Sequence, residues 1–253
     1  LNEQLKYLIQ LQALEDRKKA LLKEKEEIPK LKIRKEREFQ EFEAQYVMKK
    51  AELENLQKHH KDLEKEIAEL EQKLSRCIQK EREVKTNEEY RALLKEQEYL
   101  KVEIVEKEDK VLECMERVEI LSKEVKRLGK EVEERRSRLK QELTELDEAT
   151  LSIDAKVEAV EKAQKEIKEK LDPQVRRRCE SLMARQGGIA VAPVEKGICK
   201  VCHVSLPPQQ FIELQKDTMV MNCPHCHRFI YWPGHEVYIE AAKEIIQETL
   251  VVQ

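Results

Sequence analysis

Aromatic side chains are scarce: Phe, Trp and Tyr supply only 4% of the 253 residues, against 40% for Asp, Glu, Lys and Arg. That is too little bulky apolar surface for one globular core of this length. It suits long helices that bury a narrow seam. Helix-ending residues are missing over a long stretch as well. No proline falls between Pro29 and Pro173, and between Leu31 and Leu171 the one glycine is Gly129. No apolar run approaches the ~18–20 residues that cross a bilayer. No charged-then-apolar leader opens the sequence, so a cytoplasmic protein without a membrane contact is expected. The net charge is only -3, so any nucleic-acid binding must be local.

The cysteines do not form a disulfide framework. Of seven, Cys77, Cys114 and Cys179 are scattered through the helical part. The other four form two Cys-x-x-Cys pairs, Cys199 with Cys202 and Cys223 with Cys226. An odd count with this spacing implies a metal site plus buried free thiols.

A heptad pattern fills the stretch without breakers. Phe39, Phe42, Tyr46, Lys49, Leu53, Leu56, His60, Leu63, Ile67, Leu70, Leu74, Cys77, Glu81 and Val84 alternate in steps of three and four. A second run starts at Tyr90 and continues through Leu93, Leu100, Ile104, Val111, Cys114, Val118, Leu121, Val125, Leu128 and Val132 to Ile167. Sustained a/d seams flanked by charge are the coiled-coil pattern. The two runs are out of phase, and Thr86-Asn87-Glu88-Glu89 between them forms a capping box, which starts a new helix. A break midway between two equal arms makes a hairpin. Folding there pairs positions whose numbers sum to about 174, which sets a against d as antiparallel packing requires. An intermolecular coiled coil is the rival arrangement. Pro29 should kink the first arm, and residues 1–28 carry a looser seam through Tyr7, Leu11, Leu14, Leu21 and Ile28.

The fold expected is mainly α, a long antiparallel coiled-coil hairpin with a small β-rich C-terminal zinc ribbon. Its divisions are a hairpin over 1–172 with its tip near 85–90, a basic neck over 173–188, a four-cysteine ribbon over 189–235 and an amphipathic tail over 236–253. The tail's apolar face would hold Val237, Ala241, Ile245 and Leu250 and would dock on the rod or on a partner.

Each Cys-x-x-Cys pair is a tight knuckle presenting two sulfurs, and twenty intervening residues let the second knuckle return opposite the first. Four thiolates suit one tetrahedral zinc and leave it no open position, so the site is structural. The same strings, each followed by His203 or His227, match haem attachment, and Cys-x-x-Cys also serves redox chemistry. Haem attachment needs export, and no thioredoxin-like pattern surrounds either pair. His203, His225 and His227 are expected on the rim. No set of residues for acid–base or nucleophilic catalysis stands beside the site, so no enzyme is expected. Arg176, Arg177, Arg178, Arg185, Lys196 and Lys200 give a local basic surface for phosphates, with Tyr231 and Trp232 as stacking aromatics or as closers of the ribbon's small core. Arginines in a row are otherwise a solvated helix face.

Thr86-Asn-Glu-Glu-Tyr90-Arg-Ala-Leu93, the two knuckles, Gly187-Gly188, Val191, Pro193-Val194, Gly197, Leu206-Pro-Pro-Gln209 and Arg228-Phe-Ile-Tyr231 together resemble a bacterial family of coiled-coil hairpin proteins with a C-terminal four-cysteine zinc ribbon. The resemblance covers the whole architecture. It implies a non-enzymatic adaptor that binds RNA or a protein partner through its ribbon and takes no small-molecule substrate. One epsilonproteobacterial branch of the family serves flagellar biogenesis through a flagellin transcript and an alternative sigma factor, a role the resemblance alone does not bring to this chain. His227 stands where the family has Gly, at a position that favours positive φ, and Lys200-Val201 replaces smaller residues. The competing expectation is a purely structural spacer with a zinc-stabilised end.

Overall fold

The two seams change phase where the chain turns back. In the computed structural model of the protein, which describes residues 2–185 and 187–251, helix α1 (Glu3–Glu81) and helix α2 (Asn87–Lys170) form an antiparallel hairpin within one chain. The capping box is present at the turn: the Glu89 backbone N–H donates to Thr86 Oγ1 at 3.4 Å. Glu89 reaches back to the Thr86 hydroxyl, which donates to its carboxylate at 2.7 Å, rather than to a backbone N–H.

The chain divides into two compact units, one of Leu1–Lys32 with Thr144–Gln253 and the other of Ile33–Leu143. The second unit is the two-stranded arm. Its seam buries Leu63, Leu70, Cys77, Leu100, Ile104, Cys114, Leu121, Val125, Leu128 and Val132. Lys49 reaches Glu124 at 3.9 Å and Lys107 reaches Glu66 at 2.5 Å, both close to the register expected from the turn. Gly129 is the seam's relief point: a Cβ there would meet the Tyr46 ring at 3.4 Å. His60 and Cys114 are packed seam residues, Cys114 Sγ lying 3.5 Å from the Leu56 carbonyl. Gln97 is buried and donates to Glu81 at 2.8 Å.

In the first unit the helices have more company. Helix α1 runs on through Pro29 without ending. Its N-terminal part buries Leu5, Leu8, Ile9, Leu11, Leu14 and Leu21 almost completely, where the heptad expectation was a loose seam. The cause is three-sided packing. Around it lie α2, through Ile153, Val160 and Ile167, then helix α3 (Pro173–Arg185), through Cys179. The remaining partners are Val191 and Phe229 of the ribbon and Tyr238 of the last helix, α5 (Glu236–Val251). A helix apolar on most sides needs such surroundings.

The ribbon is a four-stranded sheet in the order β2-β1-β4-β3, formed by β1 (Val191–Glu195), β2 (Ile198–Cys199), β3 (Met221–Asn222) and β4 (Phe229–Tyr231), with helix α4 (Pro208–Lys216) between β2 and β3. Strands β1 and β4 run parallel, Ala192 opposite Ile230. Lys196 and Gly197, both at positive φ, make the tight turn between β1 and β2.

The tail expected to be amphipathic is α5, and it docks within its own unit. Tyr238, Ala242, Ile245 and Leu250 pack on the large core and Ala241 is buried, whereas Val237 is exposed. Ala241, Ile245 and Leu250 are thus on the inner face as expected, and Tyr238 takes the place expected for Val237. The Tyr238 hydroxyl donates to Asp217 at 2.5 Å and accepts the Asn2 backbone N–H at 3.1 Å, joining α5 to both the ribbon and the start of α1. Asp217 and burial both raise the Tyr238 pKa, burial being the larger cause. Replacing Tyr238 with Phe removes one partner from a buried carboxylate and should lower stability by about 1–3 kcal/mol, as measured by urea unfolding.

Candidate metal centre and basic helix

The zinc ligands come from two knuckles of matching construction. In the first, the His203 N–H donates to the Cys199 carbonyl at 2.8 Å; in the second, the His227 N–H donates to the Cys223 carbonyl at 2.9 Å. His203 and His227 both have positive φ, 59° and 60°. The departure noted at His227 is thus accommodated, and the first knuckle repeats it. His203, His225 and His227 are exposed.

The four sulfurs of Cys199, Cys202, Cys223 and Cys226 lie within 4.8 Å of one another. Cys199 is 4.0 Å from Cys226, and Cys202 is 3.7 Å from Cys223. A tetrahedron with zinc–sulfur bonds of ~2.3 Å has edges of about 3.8 Å, so the donor set fits one zinc. Burial pushes the Cys202 thiol up to about 12. Burial also raises Cys226, but the backbone and side chain of Arg228 and the neighbouring thiols outweigh it and hold that thiol at about 7. Zinc takes all four as thiolates, so loading releases protons. Cys199 and Cys223 are buried in the ribbon's own core, with Ala192, Val194, Leu206, Leu214 and Ile230.

Two residues that sequence reasoning missed fix the ribbon in its unit. Gln12 of α1 is buried; its amide donates to the Gly188 carbonyl at 3.0 Å, and its oxygen accepts the Ala190 N–H at 2.7 Å and the Val191 N–H at 3.2 Å. It stands in for a neighbouring strand where the chain enters β1. Arg228 donates from Nε to the Ile189 carbonyl at 2.9 Å while bonding Cys226. A lone Gln in a charged helix carries no local signal; Arg two residues after the last cysteine was a visible cue.

The basic residues separate into two groups. Helix α3 puts Arg177, Arg178 and Arg185 on its exposed side, with Arg176 half-buried, and none of the four makes an ion pair among the described residues. Arg178 also stacks over the Phe229 ring of β4, 5.8 Å from its centroid. Its other side buries Cys179, whose thiol burial pushes up to about 12. Lys196 and Lys200 are exposed on the ribbon, but Lys200 pairs with Glu195 at 2.9 Å. Tyr231 and Trp232 are used in packing: Tyr231 lies edge-on to Tyr238 at 6.3 Å, and Trp232 edge-on to His235 at 5.1 Å. Both are half-buried, Tyr231 against the large core and Trp232 against the ribbon core.

With this geometry in place, the comparisons with known proteins are specific about the architecture. The CT398-like coiled coil hairpin domain matches residues 9–187, and the C4-type zinc ribbon domain matches residues 198–230. Among solved structures, CT398 from Chlamydia trachomatis is 22% identical and aligns over 92% of this chain and 100% of its own, with a TM-score of 0.71. A protein from Mycobacterium smegmatis is 20% identical over 90% of this chain and 97% of its own, with a TM-score of 0.60. The HP0958 protein from Helicobacter pylori is 18% identical over 91% of this chain and 98% of its own, with a TM-score of 0.49. No curated protein matches the chain. Among the described residues, no helix is long and apolar enough to cross a membrane.

Proposed function

This chain belongs to the family with a CT398-like coiled-coil hairpin and a C4-type zinc ribbon, and from that membership we propose that it is a non-enzymatic adaptor whose ribbon-bearing unit binds single-stranded RNA. The observation that carries the reading is the exposed side of α3. Arg177, Arg178 and Arg185 lie there without ion-pair partners among the described residues, and Arg178 rests on a ribbon strand. Guanidinium groups that no carboxylate neutralises are suited to phosphate oxygens. The zinc contributes fold, since four thiolates leave it no position for a substrate or water. The RNA contact is chiefly to phosphates, because Tyr231 and Trp232 are engaged in packing.

Binding by phosphate contacts releases counterions, so affinity falls with salt. Replacing Arg176, Arg177 and Arg178 together with Ala should shallow the log–log salt slope by about 2 units, at ~0.7 per contact on a single strand. Anisotropy of a labelled single-stranded RNA across a salt series measures it, with zinc content confirming that the ribbon is folded. No binding at low salt, or an unchanged slope in the variant, leaves α3 a solvated helix and favours the spacer reading.

A further inference from the structure

The outward surface of a coiled-coil arm is normally polar and of mixed charge. Over 54–76, the outward b, c and f positions of α1 follow this rule: Glu54, Lys58, Lys61, Asp62, Lys65, Glu69 and Arg76 are joined there only by small or uncharged residues. Further along α2, over 123–140, the same positions are again polar and hold Lys123, Lys126, Arg127, Lys130 and Lys140. The α2 face over 98–120 is different. Its outward positions hold five large apolar residues, Tyr99, Val102, Val105, Leu112 and Ile120, each more than half exposed. The other six are all acidic: Glu98, Glu106, Asp109, Glu113, Glu116 and Glu119. Of these, Glu119 pairs with Lys123, and the other five make no ion pair among the described residues. The bases of the segment, Lys101, Lys107, Lys110 and Arg117, occupy flanking or seam positions. Leu112 and Met115 carry the apolar surface into a groove shared with Gln57, His60 and Lys61 of α1, where Glu116 and Glu119 outnumber the one lysine.

We propose that this face is a docking site for a basic amphipathic helix of a protein partner. Exposed apolar side chains in a row mark an interaction surface rather than a solvated one. Acidic residues interleaved without bases select a cationic partner and disfavour RNA. The row runs for 23 residues of helix, from 98 to 120, or ~34 Å at ~1.5 Å per residue, which matches a partner helix of about 20 residues lying alongside. This goes beyond the RNA reading, which concerns a different unit of the chain.

The probe is a labelled 18-residue peptide of leucine and lysine at helical spacing, beside a peptide of the same composition shuffled so that no face is apolar. The full-length protein should bind the first about tenfold more tightly than the second, since about 1.4 kcal/mol separates them. Glu106→Lys with Asp109→Lys and Glu113→Lys should weaken that binding at least tenfold. So should Val102→Gln with Leu112→Gln, two exposed positions whose exchange leaves helicity and melting unchanged. Glu54→Lys with Glu69→Lys on α1 should stay within twofold of wild type. The α3 triple-alanine protein should bind the peptide as wild type does, so failure of the RNA reading leaves this test intact. Equal binding of the two peptides, or equal loss from the α1 control, overturns the proposal. So does sedimentation showing that wild type self-associates while the α2 variants do not, because the face would then belong to a second copy.

Discussion

Cys223→Ser abolishes stoichiometric zinc binding and unfolds the ribbon, while most of the helical circular dichroism persists. Cys223 is buried in a core of only a few residues, with Ala192, Val194, Leu206, Leu214 and Ile230. A core that small cannot hold a sheet whose strands are two to five residues long without the metal. Structural zinc supplies an apparent ~10–16 kcal/mol at neutral pH, as much as the whole net stability of a typical domain, about 5–15 kcal/mol. The arm seam, by contrast, contains none of the ligands. Amide exchange should therefore show protection lost over 191–231 and retained over 33–143. Losing the ribbon also strips Val191 and Phe229 from the large core, so α5 should exchange faster as well. X-ray absorption of the wild-type protein should give four sulfur neighbours.

Val160→Asp is the most damaging single substitution expected in the helical part. Val160 is 0% exposed, in the core where both long helices, the ribbon and α5 meet. A carboxylate there is withdrawn from water into an apolar core, a loss on the order of 3–5 kcal/mol. Burial would raise the folded-state pKa of the new Asp above its unfolded value. The penalty is then full at neutral pH and shrinks as pH falls toward the unfolded value near ~3.9. Leu151→Asp, on the same helix but 69% exposed, should stay within about 0.5 kcal/mol of wild type. Urea unfolding of the two variants at neutral and mildly acidic pH checks both the size and the sign.

The hairpin and the zinc cluster were legible in the sequence because both are written in short, regular spacings. Two seams out of phase around Thr86-Asn87-Glu88-Glu89 locate the turn, and two Cys-x-x-Cys pairs are a complete tetrahedral donor set. What the sequence hid depends on contacts between distant segments. The near-complete burial of Leu5 and Leu8 comes from α3, α5 and the ribbon closing over α1, and a heptad count along α1 sees only its partner helix. Gln12 resembles any other polar residue of a charged helix until Gly188, Ala190 and Val191 arrive beside it. The α5 face turned out to hold Tyr238 rather than Val237, because a hydroxyl bonded to Asp217 and Asn2 can be buried as readily as an aliphatic chain. Tyr231 and Trp232 show the reverse limit: an aromatic pair reads equally well as a stacking platform or as packing, and only their neighbours decide.

The arm face over 98–120 was present in the sequence from the start but invisible to a search for seams. Heptad reading asks which residues face inward and discards the rest. Once the a and d positions are assigned, the outward ones can be read by the same periodicity, and their apolar and acidic content becomes a statement about partners rather than about folding.

The most direct measurement is photochemical crosslinking of a 4-thiouridine-labelled single-stranded RNA to the zinc-loaded protein, with the adducts mapped by peptide mass spectrometry. Adducts are expected on peptides carrying Arg176–Arg178 and Arg185, and they should be lost from the triple-alanine variant. Adducts confined to the 33–143 arm, or none at low salt where phosphate contacts are strongest, would contradict an RNA-binding role for the ribbon-bearing unit.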